Sequence, residues 1–483
     1  MGNGRMHLRT ETPAKNAPVW SKRNAEFERW KLRGKYESKL IVNPALTRVL
    51  VSFQGNKHEP FSRWFKYKEG FSNDFVTYCL KQFAPSNKKA RKLLDPFAGA
   101  GAALLTSYQE GWSATGIELL PVAVRIIKAR VEAVNADAAL FREECQRLRM
   151  FNSAPKKTAY HFPHLRITQK AFSEETERHL SDYMEFLSFI QDDGIRNLFW
   201  FAVLSVLEDI SYTRKDGQYL RWDRRSGRDL RSSFEKGAIL PFDTAIQQKL
   251  SMMEEDLMLW GGMCPTGKVR VIEGSCLEEL SLLGGKEYDL VITSPPYCNR
   301  YDYTRTYALE LAFLNQSEEE VRELRQRLLS ATVENRSKRE YLRETYQRLG
   351  KEDLFLKAEE SFVSQRALQE VLNILWDARD KGQLNNTKIP DMVSNYFFEM
   401  SLVVHCLGDV VADGGRVVMV NDNIQYHGQE IPADLILSEF AEDAGFETES
   451  IWVLPKGKGN SSQQMGVHGR NEMRKCVYVW RKR

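Results

Sequence analysis

The amino-acid sequence predicts an α/β protein built on a doubly wound, mostly parallel β-sheet. Residues 92–119 have the pattern of a strand, a turn rich in Gly and Ala, an apolar helix and a second strand. That order is one half of a parallel βαβ unit. Three later segments, 268–275, 288–294 and 414–422, are short and almost continuously apolar. Strands buried on both faces of a parallel sheet have this composition.

Local signals place the elements of the first unit. The strand that contains Leu93 and Leu94 is expected to end at Asp95, and the helix to occupy 101–109 and stop at Gly111. Pro121 is expected to begin the next helix, because proline is favoured at a first helical position.

The C-terminal part predicts two helices and a closing hairpin. The helices are expected from about Met392 to Val411 and at 433–444. Two strand-like segments then flank the polar, Gly-rich loop 456–473. Since strands joined as a hairpin run antiparallel, the sheet should carry an antiparallel edge strand.

Two long, mainly helical stretches interrupt the alternation of strands and helices, and they are interpreted as inserted lobes. The chain is predicted to begin with a basic N-terminal extension, 1–60. The sheet domain is made of three pieces, 61–130, 268–312 and 390–483. The helical and basic lobe is 131–267, and the charged helical insertion is 313–389.

Composition narrows the class of protein. The chain has 483 residues, of which 42% are hydrophobic and 28% charged, and it contains no run of about 18 apolar residues that would predict a membrane span. Its seven cysteines form no Cys-x-x-Cys pair. This spacing argues against a disulfide framework or a zinc site and indicates reduced, cytoplasmic thiols, with no metal expected.

Positive charge is concentrated in particular segments. The net charge is only +4, but residues 212–236 hold eight Lys and Arg against four Asp and Glu, with aromatic residues between them. Such segments suit phosphate contact and base stacking, although a solvated helix face accounts for each one equally well. The candidate nucleic-acid contacts are Arg214, Lys215, Tyr219, Arg221, Trp222, Arg224, Arg225, Arg300 and Tyr301.

The segment "DPFAGAG", Asp95 to Gly101, has the composition of a nucleoside-binding turn. Its small residues let a ligand lie against the backbone at a helix N-terminus, and Glu118 at the tip of the next strand can accept both hydroxyls of a ribose. It is not the dinucleotide fingerprint, because Leu104 stands where a third glycine is required. A tight turn that only packs small residues is the alternative interpretation.

The segment "TSPPY" displays a rigid turn at the end of a strand. Neither Pro295 nor Pro296 can donate to a sheet, so the strand must end at Thr293. The Ser294 hydroxyl and the Pro295 carbonyl can both accept from one exocyclic amino group, and Tyr297 can stack on a planar ring. The alternative is a strand-ending turn with a surface tyrosine.

These two motifs resemble those of the amino-group DNA methyltransferases that use S-adenosylmethionine. The resemblance implies a Rossmann-like methyltransferase fold, and the Ser-Pro-Pro-Tyr form is more usual in the branch that methylates cytosine N4 than in the adenine N6 branch. The residues implied to contact the cofactor are Asp95, Pro96, Phe97, Gly99, Gly101, Glu118 and Ser275, with Lys68, Phe71 and Ser72 before the first strand; the implied amino-acceptor site is Ser294, Pro295, Pro296 and Tyr297.

The resemblance also implies a partner and a mode of action. The partner is double-stranded DNA with a flipped target base, and a cognate restriction or defence protein can accompany the enzyme. Residues 131–267 are the first choice for target recognition and 313–389 for a DNA clamp. Asp302 is expected either to orient the base edge or to pair with Arg300. An RNA guanine-N2 methyltransferase and a non-catalytic nucleic-acid-binding protein are the competing interpretations.

Overall fold

The computed structural model describes residues 28–85, 91–151, 160–216, 220–228, 233–260, 266–455 and 473–483. The strands of this part of the chain are β1 Leu40–Val42, β2 Lys92–Asp95, β3 Ser113–Glu118, β4 Thr213–Lys215, β5 Leu220–Trp222, β6 Val269–Glu273, β7 Tyr288–Thr293, β8 Val411–Asp422, β9 Ile424–Tyr426, β10 Gln429–Ile431, β11 Phe446–Val453 and β12 Lys475–Lys482.

Seventeen α-helices lie in the same described residues. They are α1 Glu28–Tyr36, α2 Asn73–Phe83, α3 Ala102–Gln109, α4 Pro121–Asn135, α5 Ala138–Met150, α6 Glu174–Leu187, α7 Asp193–Ile210, α8 Phe242–Trp260, α9 Cys276–Glu279, α10 Tyr303–Thr306, α11 Ala308–Phe313, α12 Glu318–Arg327, α13 Arg339–Arg348, α14 Glu352–Ser364, α15 Arg366–Asp380, α16 Ile389–Val410 and α17 Ala433–Asp443. Within the described ranges, none of these helices has the length and apolar character that a membrane crossing requires.

Eight strands form one sheet in the order β1-β11-β12-β8-β7-β2-β3-β6. All of them run parallel except β12, which is antiparallel to both β8 and β11. The predicted closing hairpin and the predicted strand ends at Asp95, Glu118 and Thr293 are therefore confirmed. The edge strand β1, which pairs in parallel with β11, falls inside the predicted N-terminal extension and was not foreseen, because three residues carry no periodic pattern.

One expectation about burial is wrong. The segment 268–275 was expected to be buried on both faces, but β6 is the last strand of the sheet, and Val269, Val271 and Ile272 are only half-buried. By contrast, Leu290 and Ile292 of the central strand β7 are completely buried. An apolar run indicates a strand but does not tell a central position from an edge.

Helices cover both faces of the sheet, as the doubly wound fold requires. The helices α16 and α17 share one hydrophobic core with α14, α15 and α1. The helices α14 and α15 lie in the segment predicted as a charged insertion, and their apolar sides nevertheless extend this layer. A second core joins α4 to the lobe helices α5, α6, α7 and α8.

The short segment 61–64, which precedes α2, is held in place by the buried charged side chains of Asp256 and Arg130. Phe61 has a φ of 59° and is completely buried, a conformation that costs a bulky residue energy. The Asp256 carboxylate accepts from the Phe61 N–H at 2.9 Å and from the Trp64 indole at 2.8 Å, and it pairs with Arg63 at 2.6 Å. The Arg130 guanidinium donates to the Phe61 carbonyl at 3.2 Å. These contacts fix the segment to α8 and α4.

Replacing Asp256 by Ala should therefore lower the free energy of unfolding by about 3 kcal/mol, because it leaves buried donors unpaired. Denaturant unfolding followed by circular dichroism measures the loss. Glu255→Ala is the matched control, since Glu255 contacts the same arginine from the surface with 66% of its side chain exposed, and its removal should change stability by no more than about 0.5 kcal/mol. Equal losses in both variants would contradict the assigned role of Asp256.

Candidate active site

Five parallel strands end at one cavity of about 1230 Å³. The strands β2, β3, β6, β7 and β8 run in the same direction, so their carboxyl ends meet at one edge of the sheet. Ligands of open α/β sheets bind outside that edge. The residues at or just after these strand ends that line the cavity are Asp95, Glu118, Gly274, Ser294 and Asp422.

The Gly-rich turn after β2 is tied to the tip of β3. The Gly99 N–H donates to one oxygen of Glu118 at 2.7 Å, and the Leu120 N–H donates to the other oxygen at 2.7 Å. Gly99 has a φ of 52°, and a Cβ there would come within 3.2 Å of the Tyr67 ring. Each carboxylate oxygen keeps a second lone pair, so Glu118 can still accept from a ligand.

The carboxyl groups of Asp95 and Glu118 are poorly solvated. Burial raises the pKa of Asp95 to about 7 and that of Glu118 to about 7, even though both accept hydrogen bonds that oppose the rise. The Thr293 hydroxyl donates to Asp95 at 2.7 Å, and the Phe97 N–H donates at 3.1 Å. Asp95 therefore joins the end of β2 to the end of β7.

The Ser-Pro-Pro-Tyr turn faces the same cavity, and all four of its residues line it. The Ser294 hydroxyl donates to the Tyr297 hydroxyl at 3.3 Å. The ammonium of Lys475 lies 5.8 Å from the centroid of the Tyr297 ring and 3.7 Å from an Asp422 oxygen. Burial raises the pKa of Tyr297, and Lys475 opposes that rise. The phenol is therefore neutral near pH 7.

The cavity brings most of the predicted cofactor and catalytic residues together. Two of the predicted residues, Gly101 and Ser72, do not line it. Gly101 begins α3 with a φ of 79°, and a Cβ there would meet Ile127 at 2.8 Å. Ser72 caps α2 by accepting from the Phe75 N–H at 3.1 Å, and its hydroxyl donates to the Leu50 carbonyl at 2.7 Å. Gly101 therefore permits the close packing of Ile127, and Ser72 holds the start of α2. The predicted residues that do line the cavity are Asp95, Pro96, Phe97, Gly99, Glu118, Ser275, Lys68, Phe71, Ser294, Pro295, Pro296, Tyr297 and Tyr301.

Among the predicted nucleic-acid residues that the structure describes, those other than Tyr301 lie outside the cavity wall. Arg214 and Arg221 are exposed on the β4–β5 hairpin, whereas Arg225 pairs with Asp223 at 2.7 Å. Arg224 pairs with Glu235, and the Trp222 ring lies under Arg228, 4.3 Å from its guanidinium carbon. Arg300 is half-buried, and its N–H donates to the Ala331 carbonyl at 2.9 Å. Tyr219 lies outside the described residues.

The position of Lys215 contradicts its prediction as a nucleic-acid contact. Its side chain is only 3% exposed and pairs with Glu310, which is 1% exposed. Its ammonium also lies 4.7 Å from the centroid of the Phe65 ring and 4.9 Å from that of Tyr307. Because residues of a strand alternate between its two faces, Arg214 points to solvent while Lys215 points into the protein.

Asp302 takes neither of the two roles expected for it. It is 3% exposed and caps α10 by accepting from the Thr304 N–H at 3.0 Å. It pairs with Arg305 at 3.2 Å and with Arg325 at 3.2 Å, rather than with Arg300. The carboxylate is absent from the cavity lining, so its role is to hold the segment after the Ser-Pro-Pro-Tyr turn.

Several residues that line the cavity were missed, and four of them are Tyr67, Glu69, Asp422 and Lys475. Tyr67 stacks on Tyr307 with centroids 5.3 Å apart and rings 8° from parallel. Burial raises the pKa of Glu69 to about 7. Asp422 ends a predicted strand, as Asp95 and Glu118 do, so the same signal could have found it. Lys475 is brought opposite Asp422 by the register of β12 with β8, which no local pattern indicates.

The strand order, together with a Gly-rich turn and a Ser-Pro-Pro-Tyr turn on one cavity, defines a methyltransferase with a Rossmann-like sheet. The chain is 42% identical over 468 residues to the Type II methyltransferase M.AvaI of Nostoc sp. and to that of Anabaena variabilis, covering 93% of this chain and 92% of each relative. It is 37% identical over 476 residues to the Type II methyltransferase M.BsoBI of Geobacillus stearothermophilus, covering 95% and 92%. The chain therefore belongs to the Type II methyltransferases and is a DNA methyltransferase.

Two further comparisons add little. No family model matches the chain. Among solved structures, a ribosomal RNA methyltransferase of Streptomyces viridochromogenes superimposes with a TM-score of 0.28 and 8% identity, over 86% of this chain and 87% of that chain. This likeness is too distant to inform on the function.

The position of Lys215 leads to a stability prediction. Lys215→Met should lower the free energy of unfolding by about 3 kcal/mol, since it leaves the buried Glu310 carboxylate without its partner. Arg214→Met, one residue earlier on the same strand but exposed, should change it by no more than about 0.5 kcal/mol. Denaturant unfolding of both variants measures the difference. A Lys215→Met variant as stable as the wild type would refute the structural role of this ammonium.

Proposed function

We propose that the protein transfers a methyl group from S-adenosylmethionine to the exocyclic amino group of a base flipped out of double-stranded DNA, with cytosine N4 favoured over adenine N6. The observation that carries this proposal is the shared cavity of the two turns. Asp95 and Thr293, 2.7 Å apart, join the ends of the strands that precede them.

The residues on the side of β2 and β3 fit the proposed cofactor. Glu118 keeps lone pairs for ribose hydroxyls, and Gly99 lets a ligand approach the backbone of the turn. The volume of about 1230 Å³ exceeds the roughly 300–1000 Å³ of a typical ligand pocket. It thus has room for a nucleoside cofactor and a planar base together. When bound, S-adenosylmethionine supplies a methyl group on a positively charged sulfur.

The residues on the side of β7 and β8 fit an amino group as acceptor. The Ser294 hydroxyl and the Pro295 carbonyl accept its two N–H hydrogens, which draws the nitrogen towards a tetrahedral geometry and frees its lone pair. Tyr297 stacks on the base. The nitrogen gains the methyl group and gives up one proton, and Asp422, whose pKa is raised by burial, is the proposed acceptor of that proton.

The preference for cytosine comes from the leading serine of the motif, which is more usual in the N4-cytosine branch. Base flipping costs a few kcal/mol, and contacts to phosphates offset that cost. Residues 131–267 remain the proposed target-recognition lobe and 313–389 the proposed DNA clamp. A cytoplasmic enzyme that works beside a cognate restriction or defence protein fits this function.

Incubation with S-adenosylmethionine labelled in its methyl group and with duplex DNA should place label in the DNA. Digestion and chromatography of the nucleosides should then yield N4-methylcytosine. N6-methyladenine would keep the enzyme class and correct the target base. Label in tRNA but not in duplex DNA would overturn the proposal in favour of an RNA methyltransferase.

Tyr297→Ala should reduce the transfer rate by at least about 100-fold, because the base loses its stacking partner, while the affinity for S-adenosylmethionine stays within about twofold. Tyr297→Phe is the matched control, since it keeps the ring and removes only the hydroxyl that accepts from Ser294. Single-turnover transfer and equilibrium cofactor binding separate the two effects. Loss of cofactor binding in Tyr297→Ala would count against the assigned role.

Cofactor affinity should rise with pH through about 7. The pKa of Glu118 is raised to about 7, so its carboxyl is mostly protonated at pH 6 and mostly ionised at pH 8. Only the ionised form can accept both ribose hydroxyls, and the association constant should therefore fall about tenfold per pH unit below 7. Calorimetric titration from pH 6 to 8 tests this. A Glu118→Gln variant that keeps the full pH dependence would exclude Glu118 as its source.

A further inference from the structure

Residues 48–66, here called the rim segment, form one wall of the cavity and carry exposed positive charge. Arg48, Lys57 and Lys66 line the cavity and are exposed. Within the described part of the chain, none of the three forms an ion pair or a side-chain hydrogen bond. Exposed arginines of the β4–β5 hairpin region behave differently, since Arg224 and Arg225 are paired with acidic side chains.

The rim segment is anchored at both of its ends. Towards its C-terminal end, Asp256 and Arg130 hold Phe61 to Trp64 through buried hydrogen bonds. Near its N-terminal end, the Leu50 carbonyl accepts from the Ser72 N–H at 3.1 Å and from the Ser72 hydroxyl at 2.7 Å. In its middle, the Asn56 amide donates to the Phe71 carbonyl at 3.0 Å. The three cations therefore stand on a fixed backbone, which reduces the entropy lost when they bind a ligand.

The rim segment reaches the catalytic side of the cavity. Arg48 lines the same cavity as Asp422 and the Ser294–Tyr297 turn, and burial raises the pKa of Asp422 while the positive charges of Lys475 and then Arg48 oppose that rise. Arg327, at the end of α12, lines the same cavity and is exposed, with its nearest carboxylate oxygen, on Glu278, 3.9 Å away. Cations thus line the cavity that holds Tyr297, both on the rim segment and on α12.

The charges of the cavity are unevenly distributed. Its carboxyl groups, at Glu69, Asp95, Glu118 and Asp422, are mostly shielded from water, and burial raises the pKa of each. The unpaired cations are exposed instead. A ligand that fits this arrangement has a polyanionic part outside the cavity and a neutral or positive part inside it. A nucleic-acid strand with one base turned inward has that chemistry.

We propose that the rim segment binds the backbone phosphates of the target strand on either side of the flipped base, through Arg48, Lys57 and Lys66. This proposal rests on the proposed function and adds to it the surface that holds the DNA. It assigns the non-specific part of DNA affinity to residues that precede the first motif, outside both inserted lobes. Phosphate contacts of this kind make binding steeply salt-dependent.

The test uses the full chain with Lys57→Gln, Lys66→Gln and Arg48→Gln, singly and together. The dissociation constant for duplex DNA is measured between 50 and 200 mM salt. For each phosphate contact removed, the slope of log K against log salt should fall by about 0.9. The loss of affinity across that range should therefore shrink about threefold per residue. Lys57→Arg and Lys66→Arg, which keep the charge, should retain the wild-type slope.

The control variant is Lys286→Gln. Lys286 is also exposed, but it does not line the cavity. It precedes β7 and pairs with Asp413 at 2.8 Å. Its removal should leave the slope unchanged. Weaker binding of S-adenosylmethionine in the rim variants, with DNA affinity intact, would instead assign these cations to the cofactor and overturn the proposal.

Failure of this proposal can be told from failure of the proposed function. If the wild type methylates duplex DNA and binds it with a salt-dependent affinity, but the triple variant has the same slope, the rim segment is not the phosphate site. If the wild type transfers no methyl group to DNA, the proposed function fails first. In the supporting outcome, the triple variant raises the KM for DNA at least about tenfold and leaves kcat at saturating DNA within about threefold.

Discussion

The parallel pairing of β2 with β7 is the constraint on which the rest of the active site depends. Leu93 and Leu94 pair with Leu290 and Val291, so both strands end at the same level of the sheet. The Gly-rich turn follows one strand and the Ser-Pro-Pro-Tyr turn follows the other. Asp95 and Thr293 are 198 positions apart in sequence, and only the sheet makes them neighbours. Transfer of a methyl group requires its donor and its acceptor to come within bonding distance, and the neighbouring turns at the ends of β2 and β7 provide one place for both.

The buried carboxyl groups around the cavity carry a cost that the fold has to offset. Desolvation raises their pKa values because it disfavours the charged form, and hydrogen bonds from Gly99 and Leu120 recover only part of the loss at Glu118. The extensive hydrophobic cores on both faces of the sheet supply the necessary surplus of stability. Because these carboxyl groups are held in place before a ligand binds, the cavity needs little reorganisation on binding.

The strands and turns of the site could be predicted from sequence because each has a local signal. Apolar runs mark β2, β3, β7 and β8, and prolines close after the strands mark the ends of β2 and β7. Lys475 and Tyr67 could not be predicted, since they enter the cavity through strand register and ring stacking between distant segments. Charge counting failed for Lys215 for a related reason. A count over residues 212–236 does not tell which face of the strand each cation occupies.

The buried position of Lys215 has a consequence for how the lobe is joined to the active site. Its ammonium lies against the Tyr307 ring, Tyr307 stacks on Tyr67, and the Tyr67 ring lies 3.2 Å from the place that a Cβ on Gly99 would take. Lys68, which lines the cavity, also contacts this strand, because its ammonium donates to the Lys215 carbonyl. The β4–β5 hairpin is therefore packed, through three aromatic and glycine contacts, onto the turn that follows β2. Since packed side chains transmit displacement rather than absorb it, a shift of the hairpin would move the wall of the cavity as well.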